Sequence, residues 1–72
     1  MSFTITLPRI DPTVIAYSEW RKHAELVATA YAAWDAAEPP ERPRRFAAFL
    51  EELDREQRAC ELYASAIAAE AG

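Results

Sequence analysis

"DAAEPPERPRRF", residues 35–46, places three prolines within five positions of a chain that is otherwise rich in alanine and free of interior glycine. Pro39 disfavours helical geometry at Glu38, and Pro40 does the same at Pro39. Pro43 is compatible with the first turn of a new helix, where a missing N–H donor leaves nothing unpaired. Residues 38–42 therefore read as a stiff corner that keeps two helical runs from fusing into one long rod.

Upstream of the corner, Asp11-Pro12 forms a helix start. An aspartate accepts from the free backbone N–H groups of a first turn, and proline suits the first helical position. The spacing predicts a first helix over 11–37 and a second over 43–69, two rods of similar length. The expected fold is all-α, an antiparallel αα-hairpin forming one domain over residues 1–72. Before it, residues 1–10 form an arm in which Ser2, Thr4 and Thr6 alternate with Phe3, Ile5 and Leu7. This period of two reads as a short strand or extended segment.

The second helix places Phe46, Phe49, Leu50, Leu53, Gln57, Cys60, Ala64 and Ile67 on one stripe, with Glu51, Asp54, Arg55, Arg58 and Glu61 behind. The first helix carries two adjacent apolar seams. One holds Ala16, Trp20, His23, Ala24, Val27, Tyr31 and Trp34; the other holds Ile15, Leu26, Ala30, Ala33 and Ala37. Folding at the corner pairs Trp34 with Phe46 and Phe49, Val27 with Leu53, Trp20 with Cys60 and Tyr63, and Ala16 with Ile67. One neighbouring helix covers one seam. The other can be covered by the arm, through Phe3, Ile5, Leu7 and Ile10, or by a second copy; the favoured reading is the copy, a homodimeric four-helix bundle with Ile15, Leu26, Ala30, Ala33 and the arm residues Phe3, Ile5 and Leu7 as the expected interface.

Size supports the same expectation. A domain of 72 residues buries only about 60% of the surface of its unfolded chain, and such domains usually need a staple or a partner. The single cysteine, Cys60, permits no internal disulfide and no zinc site. No secretory signal and no apolar run of membrane-spanning length is visible, which points to a reducing cytoplasmic location. The net charge of −4 disfavours binding to a phosphate backbone. Seven arginines against one lysine, with abundant alanine, point to a GC-rich bacterial or phage coding sequence.

No catalytic, cofactor or metal motif is present. His23 and Cys60 are the only base and thiol, without a third group to orient them. Arg42, Arg44 and Arg45 are interleaved with Glu38 and Glu41, so their field is largely cancelled. Glu51, Glu52, Asp54, Glu56 and Glu61 read as an acidic, partner-facing surface, and Glu56 borders the apolar stripe. The expected function is that of a small acidic adaptor or inhibitor that binds a partner protein and is not an enzyme.

An alternative comes from "FTITLPRIDP", residues 3–12. A strand followed by two helices resembles the order of ribbon-helix-helix repressors. That resemblance implies a dimeric ribbon entering the major groove of DNA, with Ser2, Thr4 and Thr6 outward and Arg9 near phosphate.

Overall fold

The computed structural model describes residues 11–71. The expected arm, with Phe3, Ile5 and Leu7, and most of the segment that resembles a repressor ribbon lie outside the described residues.

Two helices make up nearly all of the described chain: α1, Pro12–Asp35, and α2, Arg42–Ala71. Their 24 and 30 residues correspond to rods of about 36 and 45 Å. They pack against each other, and no strand occurs among the described residues. The start of α1 follows from its capping chemistry. The Asp11 carboxylate accepts from the Thr13 N–H at 2.9 Å, and Pro12 occupies the first helical position. The Asp11 carbonyl accepts from the N–H groups of Val14 and Ile15, at 2.9 and 3.2 Å.

The corner begins slightly earlier than its prolines. α1 stops at Asp35, two residues before Ala37. A proline ring clashes with the carbonyl four residues upstream, which for Pro39 is that of Asp35. Ala36 and Ala37 then close the end by donating to the carbonyls of Ala32 and Trp34, at 3.0 and 3.1 Å. The chain turns on the Glu38 carbonyl, which accepts from Glu41 at 2.8 Å and Arg42 at 3.1 Å. α2 opens at Arg42, and its Arg45 N–H donates back to the Glu41 carbonyl at 3.0 Å. The Arg42 guanidinium lies 5.4 Å from the Trp34 ring centre and donates to the Ala37 carbonyl at 3.5 Å. That side chain therefore fastens the corner to the end of α1 by a cation–π contact and a cap.

The seam between the helices repeats every seven residues. On α1, Thr13, Trp20, Val27 and Trp34 are half-buried, as are Ala16, His23 and Ala30, and Ala37 just past the helix end. On α2 the half-buried series are Phe49, Glu56 and Tyr63, and Glu52 and Ala66, with Ala59 between these two. A step of seven returns to nearly the same face of a helix, drifting by only about 20°. Aromatic rings close both ends. Near the corner, Trp34 stacks on Phe49 at 5.9 Å and meets Phe46 at 5.1 Å, while Tyr31 meets Phe49 edge-on at 5.6 Å. At the open end, Trp20 stacks on Tyr63 at 5.6 Å, and Tyr17 touches both rings.

The expected pairing of Trp34 with Phe46 and Phe49, and of Trp20 with Tyr63, is present. The rest of the α2 stripe is rotated. Leu50, Leu53 and Ile67 are 48%, 36% and 45% exposed, and the turn of helix facing α1 carries Glu52, Glu56, Ala59 and Ala66 instead. Ala59, 7% exposed, is the only buried residue among the described residues, and it is not fully enclosed.

Candidate interaction faces

Because α1 and α2 form a single layer, the hairpin has two broad faces. The first is concave. A groove of about 510 Å³ is lined by Pro12, Ile15, Ala16, Glu19, His23, Arg55, Arg58, Ala59 and Leu62. Further toward the corner, a shallower cleft of about 270 Å³ is lined by Leu26, Thr29, Ala30, Ala33, Arg45, Ala48, Glu51 and Glu52. Ala16, His23 and Ala30 step by seven along α1, as do Arg45, Glu52 and Ala59 along α2, so both hollows lie on the same side of the seam.

The opposite face is aromatic and aliphatic. Tyr17, Ala24 and Tyr31 flank the seam on α1, and Phe46, Leu53, Cys60 and Ile67 flank it on α2, again at intervals of seven. Leu50, Gln57 and Ala64 continue that surface outward on α2. From Phe46 to Ile67 this stripe contains no charged residue, and all its members except Cys60 are exposed.

The expected interface residues therefore separate. Ile15 and Leu26 are exposed, while Ala30 and Ala33 are half-buried, and all four line the concave face. Leu62, on the same side, is the most exposed large apolar residue, at 68%. The five expected acidic residues do not share one surface. Glu51, Asp54 and Glu61 are exposed, whereas Glu52 and Glu56 turn into the seam. Glu56 Oε1 accepts from the Trp20 indole N–H at 2.7 Å. Glu52 Oε1 accepts from Arg55 at 2.5 Å, and its second oxygen is buried without a partner among the described residues. Asp54 pairs with Arg58, and Glu41 with Arg44. Exposed pairs of this kind contribute little to stability, but they remove much of the local field. Among the described residues, neither Glu51 nor Glu61 takes part in an ion pair.

His23 lines the groove, and its Nδ1 is buried without a hydrogen-bond partner among the described residues. Cys60 lies one residue past the groove residue Ala59, about 100° around α2, on the apolar side. The fold thus sets the only base and the only thiol on different faces of the hairpin. No group of three or more His, Cys, Asp or Glu that could hold a metal ion occurs among the described residues. No helix there is long and apolar enough to cross a membrane.

The helix ends meet as well. Asp11, before α1, lies beside Glu70 near the end of α2. Its carboxyl is held below the usual value of 3.8, first by the Thr13 backbone N–H and then by the neighbouring Glu70 side chain.

No family model, curated protein or solved structure matches this chain.

Proposed function

We propose that this chain is a protein–protein interaction module, a cytoplasmic helical hairpin that self-associates and binds a partner protein as an adaptor or inhibitor. One observation carries the reading. Among the described residues only Ala59 is buried, while ten large apolar side chains, distributed over both faces, stay exposed. A helix pair that hides so little apolar surface is a marginal structure by itself, because helices in proteins draw most of their stability from packing an apolar face. Contiguous exposed apolar surface marks sites of contact.

The concave face is the side offered to the partner. It joins apolar anchors, Ile15, Leu26 and Leu62, to charged rims, and uncompensated Glu51 stands at its edge. Its rims carry both signs, Glu19, Glu51 and Glu52 with Arg45, Arg55 and Arg58, so the matching surface is an apolar anchor edged by charges of both signs, since complementary potentials speed encounter and suppress wrong partners.

The test is cross-linking in cells of the source organism, with the full chain compared with Leu62→Glu. A protein joined to groove residues of the wild type and lost from Leu62→Glu is the expected result. Failure to join any protein other than the chain itself would overturn the reading.

A further inference from the structure

We propose that a second copy of this chain seats on the face that carries the uncharged α2 stripe, antiparallel, about a two-fold axis passing at the level of Ala24 and Gln57. The proposal deepens the contact function above and rests on it for self-association alone. The result is a four-helix bundle with its two proline corners at opposite ends.

Charge selects the face. Two copies each carrying −4 repel one another unless they meet on neutral surface, and the stripe on α2 from Phe46 to Ile67 is neutral throughout. The concave face, with Glu19, Glu51, Arg55 and Arg58, is not.

Spacing then selects the orientation. Phe46, Leu50, Leu53, Gln57, Cys60, Ala64 and Ile67 follow one another at alternate steps of four and three, the rhythm of a coiled-coil seam. The bulk is uneven, with Phe46, Leu50 and Leu53 before Gln57 and Cys60 and Ala64 after it. An antiparallel copy centred on Gln57 sets Leu53 against the partner's Cys60, Leu50 against the partner's Ala64 and Phe46 against the partner's Ile67. Large side chains then face smaller ones, which packs without voids. A parallel copy would set Phe46 on Phe46 and Ala64 on Ala64.

α1 supplies an independent check. Its residues on this face, Tyr17, Ala24 and Tyr31, are symmetric about Ala24, so the same operation sets Tyr17 against the partner's Tyr31. Within one chain Tyr17 meets Tyr63 and Tyr31 meets Phe49. The midpoint of each pair of positions is Ala24 on α1 and Glu56 on α2, one residue from Gln57. One axis therefore satisfies both helices.

Light scattering of the full chain is expected to give twice the chain mass of 8.1 kDa; a monomer at that mass overturns the proposal. Disulfide trapping decides orientation. About the axis at Gln57 the two copies of Cys60 are offset by about 9 Å along the helices, beyond the reach of a disulfide. Oxidation by oxidised glutathione should leave the wild-type chain unlinked but join Leu53→Cys to the partner's Cys60, giving a covalent dimer that reductant dissolves. Positions 53 and 60 of one chain, about 10.5 Å apart along α2, do not bridge each other. Should Leu53→Cys not fold, Gln57→Cys in a Cys60→Ser background is expected to link to its own copy at the axis. A wild-type dimer linked through Cys60, or a dimeric protein in which neither variant links, overturns the arrangement. Neither result bears on partner binding, which Leu62→Glu reports separately.

Discussion

The two faces of this hairpin expose similar kinds of side chain and differ in how these are ordered. On the concave face Ile15, Leu26 and Leu62 stand apart, separated by Glu19, Glu51, Arg55 and Arg58. On the other, α2 presents an unbroken run from Phe46 to Ile67 with a coiled-coil rhythm and no charge. Exposure alone does not separate them, since the concave face holds the most exposed large apolar residue, Leu62. Charge placement does. Repeated packing of one helix on another needs every turn to be neutral, whereas a single anchored contact tolerates charged surroundings and gains selectivity from them.

The sharpest way to break this comparison is one charge on each face. Leu53→Glu sets a carboxylate in the middle of the proposed self-interface, where it would be buried without a partner. The expected loss is about 3 kcal/mol or more, seen as a fall from dimer to monomer mass and a lower melting temperature. Leu62→Glu, at a position 68% exposed, is expected to change stability by no more than about 0.5 kcal/mol and to leave the mass unchanged. Equal effects on both faces would remove the distinction between them.

That distinction also marks where the sequence stops being readable. The corner, the two rods and the Asp11 start follow from proline and capping chemistry, which act within a few residues and need no knowledge of neighbours. The aromatic ends follow from ring size, since Trp34 and Trp20 each require a large partner surface at a fixed register from the corner. The facing turn of α2 does not follow from hydropathy. Ranking by apolarity turns Leu50, Leu53 and Ile67 inward, but once the rings of Trp20 and Trp34 stack on Tyr63 and Phe49, the turns between them need small residues for the helices to approach, and the Trp20 indole N–H needs an acceptor. Ala59 and Ala66 supply the room, and Glu56 supplies the acceptor. The signal available beforehand was spacing: Phe49, Glu56 and Tyr63 recur every seven residues, as do Glu52, Ala59 and Ala66. The same rotation divides the expected acidic surface, because Glu52 and Glu56 belong to the seam while Glu51, Asp54 and Glu61 remain outside.

The hydrogen bond between Trp20 and Glu56 tests whether that seam is set by polar matching as well as by ring packing. Trp20→Phe keeps an aromatic ring against Tyr63 but leaves the half-buried Glu56 carboxylate without its indole donor. The expected cost is about 1–3 kcal/mol, read by chemical denaturation with the protein concentration held constant. Adding Glu56→Leu to Trp20→Phe is expected to recover part of it, because no carboxylate then remains to be solvated. If the double variant is as unstable as the two single changes combined, the pair is uncoupled and ring packing alone sets the register.

The smallest expected effect lies at the open end, where both faces meet and the helix termini touch. Asp11 has a folded-state pKa depressed below 3.8 by the Thr13 N–H and by Glu70. A depressed acid contributes stability that is fully present above its unfolded value and disappears as pH falls through the folded one. Between pH 7 and pH 5 Asp11 therefore contributes a constant amount, and only below pH 4 does protonation release the Thr13 N–H and loosen the first turn of α1. Asp11→Ala is expected to lower the melting temperature slightly at pH 7 and to converge on the wild type as the pH falls through the folded-state value, which lies below 3.8. A difference that persisted unchanged into that range would mean that the carboxylate charge is not what holds the start of α1.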